Sequence, residues 1–435
     1  MLGQLTRLFG TFGLLLFLSR SMDTLQYAGT VVVFSLVSVA ALITRFGVPT
    51  AAIRLIVQHR ELNGAESAGR LTRRLGAFAV TSCAVSYPIC LLVLPPLTTS
   101  FLHQPALRPI VPLVAGCIVV EGLQITLAEM CRAHHRQAAA ALLGYAARAV
   151  LLTLSCLVAA AFVKLTVADV TVFYLVSSVL ATSTAAMVLW RLTRGQGMFR
   201  GTSKSRGDGA ALLSLRAVLA VSLPFMINDV AIIVLMQGDT LAAANVTSGL
   251  NVAVYNAAAR LSNLLTLPYF AISVALPPTI GGFVAARRKN DLERLLKISA
   301  IAGAVPTIAG FFALLVAPGA IMELLFGAGF RGGGTALILL SVGPVLNAST
   351  GLAPQLLGMS GRQLALMYMS AVIAVGAFAG EIAAGRSFGI LGVAVVSGVG
   401  TGALSLAQAV YAKRVLGFST WASLPPRRRG RHHSG

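Results

Sequence analysis

Arg260 lies inside a long apolar run and is flanked by two amides. Asn256, Arg260 and Asn263 fall at i, i+4 and i+7, so they share one helix face. Two other arginines sit in similar company. Ser35, Ser38, Leu42 and Arg45 are spaced i, i+3, i+7 and i+10, and Tyr145, Arg148, Leu152 and Ser155 repeat that spacing. Arginine stays protonated at physiological pH and offers a planar five-donor fork that suits phosphate oxygens. A charge at bilayer depth costs about 2.5–3.5 kcal/mol on insertion scales, so it is expected to face protein or a watery cavity. Arg45, Arg148, Arg260, Asn256, Asn263 and Tyr145 are therefore the candidate lining of a cationic cavity that holds an anion. The plainer reading of Arg45 and Arg148 is that they snorkel toward an interface, or pair with Glu121, Glu129 or Asp229.

Carboxylates at depth are few: Glu121 and Glu129 in the fourth apolar span, Asp229 in the seventh, and Asp239 near its outer end. A buried carboxylate among polar neighbours can take up H⁺ or Na⁺. Asp229 and Glu121 are thus candidate ion-coupling residues, with a counter-ion role for a nearby arginine as the competing reading. No other chemistry is indicated. The chain has no phosphate-binding GxxxxGK[ST] loop, no Ser/His/Asp or HExxH pattern and no metal-ligand spacing among its six histidines and five cysteines. The cysteines lie in or beside apolar segments and read as small buried hydrophobes. No catalytic residue, metal or cofactor is expected, and the chain does not read as an enzyme.

These side chains must be positioned by membrane helices. The sequence is 57% hydrophobic and 11% charged, which excludes an ordinary soluble domain. A net charge of +21 would point to nucleic acid in a soluble protein, but here the basic residues sit between apolar spans. At roughly 20 residues per span, 435 residues accommodate about twelve helices. They are expected near 4–20, 27–49, 74–96, 106–131, 138–162, 168–190, 214–236, 250–278, 297–320, 333–357, 364–384 and 388–412. An even count puts both termini on one side, and most of the 34 Lys and Arg then fall on that side. Only Arg20, Arg108, Lys164, Arg331 and Arg386 fall on the other. By the positive-inside rule both termini are cytoplasmic.

The chain also repeats itself half a length apart. Val48-Pro49-Thr50 and Pro277-Pro278-Thr279 each lead into a basic turn. Phe101 and Phe326 each open a span ending in a basic residue followed by Gln, at Arg136-Gln137 and Arg362-Gln363. The fold class expected is an all-α polytopic membrane protein with two pseudo-symmetric six-helix lobes. The lobes are 1–192 and 214–412, joined by a cytoplasmic linker at 193–213 and followed by a basic tail at 413–435. An internal duplication of this kind fits a transporter with its substrate between the halves. The basic tail reads as topogenic, or as adhering to anionic membrane lipids.

Several motifs resemble a known family. Val254-Tyr255-Asn256-Ala257-Ala258-Ala259-Arg260-Leu261, followed by Leu276-Pro277-Pro278, resembles the GxYxxAxRL … lP signature of Wzx-type polysaccharide flippases. These belong to the multidrug/oligosaccharidyl-lipid/polysaccharide exporter (MOP) superfamily. Arg45-Phe46-Gly47-Val48-Pro49 resembles the family's RxGxP turn, and Phe326-Gly327 with Gly361-Arg362 its FG … GR segment. Cys131-Arg132-Ala133 through Arg136 is similar to the end of its fourth span. One departure is that no glycine stands two places before Tyr255.

The resemblance implies a MATE-like pair of lobes in the bacterial inner membrane. It also implies transfer of an undecaprenyl-pyrophosphate-linked oligosaccharide between leaflets by alternating access, for surface polysaccharides such as lipopolysaccharide or exopolysaccharide. The family's pyrophosphate-holding arginines map onto Arg45, Arg148 and Arg260. Partners would be the lipid-linked substrate, membrane lipids and the polysaccharide polymerase and export machinery, with no nucleic acid. The alternative within the superfamily is a cation-coupled multidrug or small-molecule antiporter. That reading expects a cavity of carboxylates and aromatics, whereas this chain has more arginine than acid at depth and only 7% aromatics. A membrane glycosyltransferase ranks last, because every expected external loop is short.

Overall fold

The computed structural model describes residues 2–45, 47–102, 104–134, 136, 139–140, 142–195, 223, 226–247, 249–286 and 288–422. Most of the expected linker and tail, at 196–213 and 423–435, and the start of the expected seventh span lie outside them, as does the Tyr145 side chain. The first half contains α1 (Leu2–Ser21), α2 (Thr24–Thr44), α3 (Val48–Pro96), α4 (Val111–Ala133), α5 (Ala147–Ala160) and α6 (Val167–Gly195). The second contains α7 (Asp239–Val246), α8 (Leu250–Leu264), α9 (Leu267–Ala275), α10 (Pro277–Ala285), α11 (Lys289–Val316), α12 (Pro318–Phe326), α13 (Gly334–Thr350), α14 (Ala353–Met359) and α15 (Gln363–Leu416). Among the described residues every regular element is helical, and eight helices are long and apolar enough to cross a membrane.

Glycine sets the breaks and the closest contacts. α15 is 54 residues long, but Gly389 interrupts it with φ 61° and ψ −147°, a backbone open essentially to glycine alone. The break falls two residues past the gap expected between the spans at 364–384 and 388–412, at the start of the second. Further along α15, a Cβ on Gly398 would stand 2.5 Å from the Leu339 carbonyl of α13. Apolar lipid supplies no hydrophobic drive between helices, so such close backbone approach is what holds the pair.

Two expected spans differ from the structure. The run at 250–278 reads as one helix, but the chain breaks after α8 and again after α9. Pro268 cannot continue the ladder, and Thr266 turns its hydroxyl back to the Asn263 carbonyl at 2.6 Å. The seventh span, expected at 214–236 with a polar loop from Asp239 onward, instead runs helical over Met226–Val246. A π-turn at Val234–Gly238 leads into α7, which ends at Val246, and α8 begins at Leu250. Asp239 is therefore inside the bundle, held there by polar partners from three other positions.

The cores divide unevenly. One large cluster takes residues from both halves, packing Leu14, Leu18, Tyr27 and Val31 with Tyr255, Phe326 and Ala336. The basic connections lie at the other end, and there each half has its own core. Ile56, Leu71 and Met130 pack within the first half, and Ile280, Leu296 and Leu356 within the second. The halves thus share a core at one end and are separately packed at the basic end.

Candidate functional site

Arg45 caps the basic end of α2, its Nε donating to the Ala41 carbonyl at 2.9 Å. Its stem lies against Gly122 of α4, where a Cβ would meet Arg45 Cγ at 3.5 Å. The guanidinium borders a cavity of about 240 Å³ that Glu129, Arg132, Leu42 and Ile125 line from the first half. Asp229 lines it from the second half and lies within electrostatic reach of Arg45. Arg132 and Glu129 pair with each other at 2.8 Å, so Arg45 is the cation of this cavity with no carboxylate at salt-bridge distance among the described residues. Two of the sequence candidates, Arg45 and Asp229, thus meet across the two halves.

Arg148 and Glu121 meet elsewhere, inside the first half. Their ion pair is 2.9 Å long and both side chains are largely buried. Tyr174 of α6 completes the group: its hydroxyl accepts from Arg148 and donates to Glu121. The Arg148 guanidinium also lies over the Tyr174 ring, 4.7 Å from its centroid. Charge, hydrogen bonding and cation–π contact all satisfy Arg148 from within the protein.

Arg260 stands in the shared core. Its Nη2 donates to Gln237 Oε1, which also accepts from Ser35 of α2 at 3.3 Å. The acceptor is a neutral amide, so the hydrogen bond leaves the guanidinium charge in place. The Arg260 Nε is buried and has no hydrogen-bond partner among the described residues, and neither does the neighbouring Tyr27 hydroxyl. Such orphaned donors inside a fold mark either strain or a site whose ligand is missing. Asn256, one turn away, is fully buried and donates to Thr240 Oγ1 at 3.1 Å, and its Oδ1 has no hydrogen-bond partner among the described residues. Asn263 is half-buried at the end of α8.

A carboxylate cluster adjoins Arg260, in which Asp239 is joined by Glu381, an acid the sequence reading does not single out. Asp239 Oδ2 accepts from Tyr255 at 3.1 Å and from Ser397 at 3.4 Å, while its Oδ1 accepts the Thr240 amide at 2.6 Å. Glu381 of α15 is 1% exposed and is an electrostatic neighbour of both Asp239 and Tyr255. Among the described residues neither carboxylate is in an ion pair. Two buried acids ringed by hydroxyls are suited to a proton or a small monovalent cation. The signal was present in the sequence: Glu381 is a lone acid in an apolar stretch, as Arg260 is a lone base.

This arrangement of two helical halves with a cationic and an acidic site at depth has recognisable relatives. A family model described as "Polysaccharide biosynthesis protein" matches residues 1–284. The chain belongs to that family. No curated protein matches its sequence significantly. Among solved structures, the chain is similar to an inward-facing multidrug-resistance MATE transporter of the MOP superfamily, with a TM-score of 0.76 at 15% identity. The match covers 95% of this chain and 94% of the transporter. It is similar also to the lipid II flippase MurJ in an inward-closed conformation, with a TM-score of 0.70 at 11% identity, covering 95% and 87%. A third is a MOP-superfamily transporter from Pyrococcus furiosus, described as having a binding pocket of reversed polarity. Its TM-score is 0.60 at 15% identity, covering 95% and 93%. The fold of this multi-pass membrane protein is therefore that of the MATE-like MOP transporters.

Proposed function

We propose that the protein is a flippase. It moves a lipid-linked oligosaccharide with a diphosphate head between membrane leaflets by alternating access. The observation that carries this reading is Arg260: a cation in the shared core, hydrogen-bonded to a neutral amide, with a buried Nε that has no protein acceptor. An anion entering from the cleft at the basic end would meet Arg45 first and Arg260 at depth. The glycan would occupy the space between the halves while the prenyl chain stays in lipid. This lowers the cost of carrying a polar head across hydrocarbon and breaks no covalent bond. The likeness to a lipid II flippase and the family assignment support a lipid-linked saccharide as the cargo.

In this reading the chain crosses the membrane twelve times, as two six-helix lobes at 1–192 and 214–412. α15 contributes two passes either side of Gly389, the shorter apolar helices at Phe12–Ser21 and Ala147–Ala160 one each, and α8 with α9 together one more. The basic end is cytoplasmic, so the cleft between the separately packed cores faces the side on which such lipids are made. The coupling ion binds at Asp239 and Glu381. Glu121 is engaged by Arg148, and Asp229 lies at the cleft mouth facing Arg45.

That acidic pair also favours a second reading, a cation-coupled antiporter for small organic molecules. Reconstitution in liposomes separates the two. Lipid-linked oligosaccharide reaching the far leaflet, and lost in Arg260→Ala at equal expression, supports the flippase. Ethidium moving against a proton gradient, with no transfer of the lipid, replaces it with the antiporter.

A further inference from the structure

At the end away from the basic connections, Arg20 helps join the two halves, alongside Asn245, whose Nδ2 donates to the Phe101 carbonyl at 2.5 Å. Arg20, in the last turn of α1, sends its Nε to the Leu325 carbonyl at 3.0 Å and its Nη2 to the Leu324 carbonyl. Both acceptors belong to the last turn of α12, in the other half of the chain. The final carbonyls of a helix lack partners within it and carry the negative end of its dipole, so a cation placed there is doubly matched. Beneath Arg20 the same seam is aromatic. Phe12 of α1 meets Phe326 of α12 edge-on at 6.1 Å, and Tyr27 of α2 meets Phe330 at 5.9 Å. Phe326 and Phe330 in turn pack on each other at 5.7 Å.

We infer that Arg20 is the latch of the gate at this end. It holds α1 on the C-terminus of α12 while the cleft at the basic end is open, and it releases when the molecule opens the other way. Three observations carry this. The bonded groups come from different halves. Arg20 is exposed, so water replaces its carbonyl acceptors on opening at little cost, unlike the buried pair of Arg148 and Glu121. And this is the end where the two halves share one core, whereas at the basic end each half has its own. Opening here must separate Phe12 from Phe326 and Arg20 from α12. The carbonyl acceptors belong to the backbone, so no side-chain change on α12 abolishes them, and the latch is broken from the Arg20 side alone.

The inference rests on alternating access but not on the identity of the cargo, and its test needs no substrate. Spin labels at Asp23→Cys and Leu324→Cys, in a background with the five native cysteines replaced, report the distance across this end in proteoliposomes. Arg20→Ala should raise the wide population at least about threefold over the unsubstituted arginine, with Arg20→Lys falling between them. An unchanged distance distribution in a folded Arg20→Ala protein overturns the latch. Should that variant fold poorly, a reversible cross-link between Phe12→Cys and Phe326→Cys tests the same gate. It should stop movement of whichever cargo the protein carries, with recovery on reduction. Unimpaired movement in the cross-linked protein overturns the gate. Absence of lipid-linked oligosaccharide transfer alongside a widened Arg20→Ala distribution would count against the flippase reading alone.

Discussion

Glu121 and Arg148 neutralise each other at 2.9 Å, with the Tyr174 hydroxyl bridging the two. Two charges taken out of water repay that cost only when both remain, so deleting one is far worse than deleting both. Glu121→Ala should destabilise the protein by about 3 kcal/mol, and Arg148→Met by a similar amount. The double variant Glu121→Leu with Arg148→Met should recover most of the loss. Thermal unfolding in detergent, followed by tryptophan fluorescence, checks the cycle. Additive losses in the double variant would mean that the two side chains act independently.

Gln237 gives a test of charge at the deeper site without touching the arginine. Its Oε1 receives both Arg260 and Ser35, joining the candidate anion site to the opposite half. Gln237→Glu keeps the shape but places a carboxylate against the guanidinium, which competes with any incoming anion. Transfer of lipid-linked oligosaccharide should fall by about 10- to 100-fold, since a charge-assisted contact of this kind is worth about 1.5–3 kcal/mol. Thermal stability should hold or rise. Gln237→Leu should lower transfer less, by removing Arg260's anchor while leaving its charge. Equal transfer by Gln237→Glu and the parent chain would show that Arg260 does not hold an anion.

The glycine contacts predict a graded loss of packing. A methyl on Gly398 must push α13 away at the Leu339 carbonyl, which is backbone and cannot rotate aside. Gly398→Ala should cost about 1–3 kcal/mol, as overpacked cores do, and Gly398→Val more. At Gly389 a Cβ meets open space, so any penalty there comes from its φ of 61° alone. Gly389→Ala should therefore destabilise by about 1–3 kcal/mol with no change in helix packing. Melting temperature and cross-linking between α13 and α15 distinguish the two: the cross-link should weaken in Gly398→Ala and stay intact in Gly389→Ala.

Much of this was legible from residue type and spacing, because lipid permits little besides helices and makes every charge conspicuous. That rule singles out Arg260 and Asn256 as polar groups at depth, and it leaves Arg148 open between lining a cavity and pairing with an acid, where the structure shows the pair with Glu121. The break between α8 and α9 was written at Pro268 but overlooked, since an apolar run of that length reads as one span. Asp239 was misread for the opposite reason. A run of Gln237, Gly238, Asp239 and Thr240 looks like a loop when its partners are unknown, and those partners, Tyr255 and Ser397, come from α8 and α15. Tyr174 and Arg20 were beyond reach altogether. The first acts through contacts made in three dimensions, and the second on backbone carbonyls that no side-chain pattern encodes.

Asp239 and Glu381 give the last prediction. Both are buried, neither has a cationic partner at salt-bridge distance among the described residues, and Ser397, Tyr255 and Thr240 supply the surrounding hydroxyls. Arg260 lies within electrostatic reach of Asp239 and not of Glu381, so Glu381 in so dry a place needs a proton or a cation, because like charges there repel strongly. That requirement gives an ion gradient something to act on. Asp239→Asn and Glu381→Gln each remove one charge while keeping the hydrogen-bonding shape. Each should leave transfer down a substrate gradient within a few-fold of the parent, and abolish the stimulation produced by an imposed proton or sodium gradient. Paired flux measurements in liposomes, with and without the gradient, are the check. Full stimulation in both variants would move the coupling site elsewhere, and Asp229 in the cleft would be the next residue to change.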